Sequence, residues 1–204
     1  MGTARDIFSG SFAEIHIRRG ETTVDLGGMT PERVTDLRIY SGKKNDLSLL
    51  SDYPHVTRLF LQGDFTSIDT AGGLRQLSRL CLYPSGPVDC AALSGLSLRE
   101  LVICRHMAEH IEALFSPALR LLEIGALRRL SDLSFLEEAG SVEKLYLHGL
   151  PAVEALPDFA ALPSLYALKL YELHKLNDLE SLTRSHICCL AASLIADKIT
   201  GSKL

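Results

Sequence analysis

The chain has 204 residues, 47% hydrophobic, 23% charged and only 6% aromatic, with no Trp. This is the composition of an ordinary soluble folded protein, which argues against disorder and requires an aliphatic core. A formal net charge of −4 argues against bulk attraction to nucleic acid or to an anionic membrane surface.

Residues 1–11, with Ile7 and Phe8, lack the apolar stretch of about 7–15 residues found in a signal peptide. They are expected to form an N-terminal cap. From Phe12 onward one pattern recurs: apolar, two free positions, apolar, one free, apolar. It reads FAEIHI from Phe12, VTDLRI from Val34, VTRLFL from Val56 and LSRLCL from Leu77. It continues as LRELVI from Leu98, LRLLEI from Leu119, VEKLYL from Val142, LYALKL from Leu165 and ICCLAA from Ile187. Successive starts are 22, 22, 21, 21, 21, 23, 23 and 22 residues apart, and 26 of the 27 apolar slots hold Leu, Ile, Val or Phe, with Ala192 the exception.

The end of each unit alternates apolar with variable, which predicts a strand with one buried face. A strand recurring in one direction at this spacing pairs in parallel with its predecessor, and the rest of the unit returns along the back. The return segments supply further inward residues, among them Ile68, Val88, Ile111, Leu133, Leu156 and Leu179. Being short and rich in Gly, Pro, Asp and Ser, they predict turns and short 3₁₀ pieces rather than long helices. The array is expected over 12–192, as eight units plus a terminal strand, with 193–204 a C-terminal tail or cap. The most apolar run, at 187–196, is too short to cross a bilayer of about 30 Å.

The repeated LxxLxL strand motif resembles the leucine-rich-repeat family over residues 12 to about 192. Units six to eight, such as LYLHGLPAVEALPDFAALPS, resemble repeats of bacterial proteins and plant immune receptors. The family's Asn slot holds Gly20, Gly42, Asp64, Ser85, His106, Leu127, Leu150 and Leu173 here. The resemblance implies an α/β solenoid: a horseshoe with one parallel β-sheet on the concave side and turns or 3₁₀ pieces on the convex side. It also implies that strand positions three, five and seven line the concave face. Two clusters fall there. Arg38, Tyr40, Arg58, Phe60, Arg79 and Tyr83 form an Arg-plus-aromatic patch in the N-terminal half. Tyr146, His148, Lys169 and Tyr171, with Tyr166, form another in the C-terminal half. Arg and Tyr are enriched at binding hot spots.

Candidate chemistry is sparse. His106-Met107-Ala108-Glu109-His110 matches the H-x-x-E-H zinc motif, which needs a helix to put both His on one face. Here it sits in a short return segment and reads as a solvated turn. The cysteines at 81, 90, 104, 188 and 189 are odd in number and without C-x-x-C spacing, as expected of free thiols in a reducing compartment. Cys81 and Cys104 are expected on the exposed strand face with Cα atoms roughly 8 Å apart, too far for an unstrained disulfide. His16 and His148, in distant units, are not expected beside either. No catalytic, metal or cofactor site is assigned.

The expectation is therefore a non-enzymatic protein-binding module, with an immunity or inhibitor protein against a toxin as one form. A substrate adaptor or host-directed effector is the alternative, and a zinc hydrolase using His106 and His110 comes last. The expected partner is a protein with an acidic patch, with no nucleic acid and no membrane; the oligomeric state stays open. The expected location is cytoplasmic, with peroxisomal import through Ser202-Lys203-Leu204 as the alternative.

Overall fold

Each LxxLxL segment becomes a strand because its alternation leaves one face apolar and the other free. The computed structural model describes residues 12–18, 21–42, 44–105 and 108–195. In chain order the first strands are β1 (Ala13–Arg18), β2 (Glu21–Asp25), β3 (Asp36–Ser41), β4 (Asn45–Asp46) and β5 (Arg58–Gly63). Next come β6 (Phe65–Thr66), β7 (Arg79–Pro84), β8 (Val88–Asp89), β9 (Glu100–Cys104) and β10 (Ala108–Glu109). The last are β11 (Leu121–Gly125), β12 (Lys144–His148), β13 (Ala167–Leu173) and β14 (Cys189–Ile195).

Ten strands form one sheet in the order β2-β1-β3-β5-β7-β9-β11-β12-β13-β14. Every neighbouring pair is parallel except β1 and β2, which run antiparallel. The all-parallel expectation is corrected there. β2 is exposed along its whole length and covers the N-terminal edge with charged Glu21 and Asp25, a common way to blunt an edge.

The first unit also departs from its expected register. The repeat aligns Ile15 with Leu37, but Ile15 pairs with Ile39, and Ala13 faces Leu37. A one-residue slip would turn the apolar side chains outward, whereas a two-residue slip leaves them inward. Alternation alone cannot detect it. Ala13 is fully buried in the slot that leucine holds in the next unit.

Beneath the sheet the units share one core. Leu59 and Leu101 are fully buried and Leu145 is 1% exposed. Leu127, Leu150 and Leu173, in the family's Asn slot, are buried as well. Around this slot, backbone groups bond from one unit to the next. At or just past the strand ends, Gly63, Arg105, Ala126, Gly149 and Glu172 adopt positive φ. The N–H groups of Arg105, Ala126 and Gly149 donate to the carbonyls of Gly125, His148 and Tyr171 at 3.0, 2.8 and 2.9 Å.

The return segments contain 3₁₀ turns, one four-residue α turn at Asp69–Gly72, and two small sheets, β4 with β6 and β8 with β10. An Asp opens five of the 3₁₀ turns. Asp46, Asp89, Asp132, Asp158 and Asp178 accept the N–H two residues ahead, at 2.8–3.1 Å. Each satisfies a donor that a short helix leaves open.

The terminal strand extends to Ile195, past the expected end at 192. Its Leu190 occupies an inward slot yet is 43% exposed, because no further unit lies over it among the described residues. The expected cap at 1–11, Gly20, His106, the tail from 196 and Ser202-Lys203-Leu204 lie outside the described residues.

Candidate functional site

Strand pairing sorts the outward side chains into rows across the sheet. Glu14, Arg38, Phe60, Cys81, Val102, Glu123, Tyr146 and Lys169 make one row. A second begins with His16, Tyr40, Gln62 and Tyr83 and includes Cys104, Gly125, His148 and Tyr171.

In the N-terminal half the rings form a continuous ladder. His16 stacks on Tyr40 at 4.7 Å between centroids, Tyr40 meets Phe60 at 5.4 Å, and Phe60 meets Tyr83 at 5.2 Å. The expected arginines lie beside it, each meeting a carboxylate on a neighbouring strand. Arg38 is 3.8 Å from Glu14, Arg58 is 3.0 Å from Asp36, and Arg79 pairs with Glu100. The Arg38 guanidinium also lies 3.5 Å from the centre of the Phe12 ring. The patch is therefore not an open positive surface. Asp36, at the third position of its strand and so on the outward face, is only 2% exposed. Burial raises its pKa, with Arg58 opposing the rise.

The centre of the face overturns the expectation for cysteine. Cys81 and Cys104 are 1% and 3% exposed, and with Val102 they form a second apolar cluster against Phe60 and Tyr83. Outward position on a strand did not make them surface thiols, because neighbouring rings fold over them. Burial pushes both thiols up to about 12.

His148 is also closer than its unit suggests. Its Nε2 is 3.7 Å from Cys104 Sγ, two strands away, and 3.1 Å from Glu123 Oε1. Gly125 separates Cys104 and His148 in their row and has no side chain to block the ring. A Cβ there would collide with His148. Glu123 and Gly125 were thus missed as site residues; the available signal was a glycine in an outward slot between a Cys and a His.

In the C-terminal half, Lys169 and Tyr166 are exposed, while Tyr146 and Tyr171 are partly buried. The Lys169 ammonium lies 5.9 Å from the Tyr146 ring centre, and that of Lys144 lies 6.0 Å from Tyr166. The two expected clusters are consequently different surfaces, separated by the cysteine cluster and Glu123. On the return side, His110 is exposed, left-handed at φ 53°, and 2.9 Å from Asp89. The preceding Ala108–Glu109 is strand, so the helix required by H-x-x-E-H is not formed there.

No protein-family model and no curated protein sequence matches the chain. Solved structures are similar in fold. Internalin C2 of Listeria monocytogenes gives a TM-score of 0.51 at 15% identity, over 80% of this chain and 82% of that one. Internalin F of the same organism gives 0.54 at 17% identity, over 78% of this chain and 54% of its own. With the long, mostly parallel sheet, these likenesses identify a leucine-rich-repeat horseshoe fold.

Proposed function

We propose that this leucine-rich-repeat solenoid binds another protein through the outward face of its sheet and does so without catalysis. One observation carries the reading: the ladder His16, Tyr40, Phe60 and Tyr83 runs across four strands on the side the main core does not use. Stacked rings and ion-paired arginines are already ordered, so less side-chain entropy is lost when a partner docks. Large aromatic side chains and Arg are also the residues that carry most interface energy.

The charge pattern refines the expected partner. Arg38, Arg58 and Arg79 already meet Glu14, Asp36 and Glu100. A partner's acidic groups are therefore expected opposite Lys144 and Lys169, with an apolar or aromatic segment over the N-terminal ladder. A preordered face suits tight one-to-one inhibition, so an immunity or inhibitor protein acting on a toxin is the specific form proposed. A cytoplasmic setting is part of the proposal, on the odd number and scattered spacing of the five cysteines.

The test begins with affinity capture from the native host and identification of the bound protein. Tyr40→Ala combined with Lys169→Glu should weaken its binding by at least about thirtyfold, the scale of a lost hot spot. Glu154→Ala with Lys175→Ala, on the return side, should leave affinity unchanged. A folded Tyr40→Ala/Lys169→Glu protein with full affinity would refute the outward face as the site.

A further inference from the structure

Cys104 ends β9, Glu123 lies mid-strand in β11, and His148 ends β12, so three successive strands of the sheet contribute one residue each. Their Sγ, carboxylate oxygen and Nε2 all lie within 4.8 Å of one another. Sulfur and oxygen approach the same ring nitrogen, at 3.7 and 3.1 Å. We propose that Cys104, Glu123 and His148 form a binding site for a zinc-type divalent cation, with water as the fourth ligand.

The geometry separates this from a catalytic relay. In a relay the nucleophile meets one imidazole nitrogen and the carboxylate the other. Here both approach Nε2, which carries at most one proton and cannot donate fully to both. The three atoms surround a point rather than form a line. Tetrahedral zinc, with bonds of about 2.3 Å to sulfur and about 2.0–2.2 Å to nitrogen and oxygen, sets S···N near 3.6 Å and N···O near 3.4 Å. The observed separations differ from these by only a few tenths of an ångström.

Charge and surroundings agree. A thiolate and a carboxylate together balance a divalent cation, and the imidazole adds a neutral, borderline-soft donor. Tyr83 and Phe60 pack against the cluster of Cys81, Val102 and Cys104, so the sulfur is held in a closed, apolar setting with its ligand position fixed. Access is open on one side, since the side chains of His148 and Glu123 are 33% and 21% exposed while Cys104 lies beneath them. The site does not depend on what protein the face binds.

The test uses tag-free full-length protein, stripped with chelator and titrated with Co²⁺. One Co²⁺ per chain should bind, giving a thiolate-to-cobalt charge-transfer band and the intense visible bands of tetrahedral coordination. One equivalent of Zn²⁺ should remove both. Cys104→Ser and His148→Ala should abolish the signal. His110→Ala, which removes the other histidine candidate, should change nothing. If the folded wild-type chain gives no charge-transfer band, the proposal fails regardless of how the variants fold. It also fails if Cys104→Ser keeps the band or His110→Ala loses it.

Discussion

The two ends of the sheet treat the same strand positions differently. In the N-terminal half the edge is covered by β2, Arg38, Arg58 and Arg79 each meet a carboxylate across the strand gap, and the rings stack in sequence. In the C-terminal half the cations are lysines against tyrosine rings, Tyr166 and Lys169 stand in solvent, and Leu190 is exposed in a slot that is buried elsewhere. A guanidinium can make a forked, directional pair with a carboxylate, whereas an ammonium is a mobile point charge on a flexible stem. The repeat thus builds a fixed relief at one end and an adaptable charge at the other, from equivalent positions on its strands.

The largest effect that tests this contrast lies in the shared inward slot. Leu101→Ala should cost about 2–5 kcal/mol, the usual range for a closed core site. Leu190→Ala removes the same atoms from a position 43% exposed and should cost less than about 1 kcal/mol. Urea denaturation of both variants measures the gap. Equal losses would mean that β14 is covered as thoroughly as the middle of the sheet.

Thiol chemistry sharpens the same contrast. Cys188 and Cys189 are exposed, whereas Cys81, Cys90 and Cys104 are buried with burial pushing each up to about 12. An aromatic disulfide reagent should therefore label two thiols of the native chain quickly and all five only after denaturation. Rapid native labelling of a third would open the central cluster.

The smallest effect concerns Asp36. Its folded pKa is raised by burial, so its charge costs stability at neutral pH, and protonation relieves that cost as pH falls. Relative to Asp36→Asn, the wild type should gain stability on acidification from its raised pKa down to the ordinary carboxylate range. Asp132 has the opposite sign. Its folded pKa is lowered chiefly by the Ser134 N–H, so its contribution is present near neutrality and lost as pH falls through that lowered value. Stability curves for Asp36→Asn and Asp132→Asn, each against wild type, should diverge in opposite directions. Parallel curves would remove the distinction between buried and capping carboxylates.

These differences mark where reading the repeat stops being informative. Leu59, Leu101 and Leu145 were legible because a spacing near 22 residues and period-2 alternation both demand that they face inward. The slip in β1 was not legible, since Ala13 and Ile15 share a face and either register hides them. The pairing of Arg79 with Glu100 follows from two known positions on adjacent strands once register is fixed. The meeting of Cys104 and His148 does not follow, because it depends on a side chain leaning across the empty slot at Gly125. Burial of Cys81 likewise depends on where the Phe60 and Tyr83 rings settle, which spacing does not specify.

The antiparallel strand β2 has a consequence for how copies of this chain can associate. Open-ended fibres grow when one surface of a molecule fits a different surface on the next, without closing into a ring. A parallel solenoid invites such growth, because the last strand of one copy resembles the predecessor of the first strand of another. Here that match is broken. Among the described residues, β14 offers a parallel edge, but the opposite edge is an exposed, charged strand running the other way. A second copy arriving there meets reversed polarity and finds no exposed core to continue. The described residues thus form a stack with a front and a stop, in which the reversed strand β2 opposes growth into a filament of the chain itself.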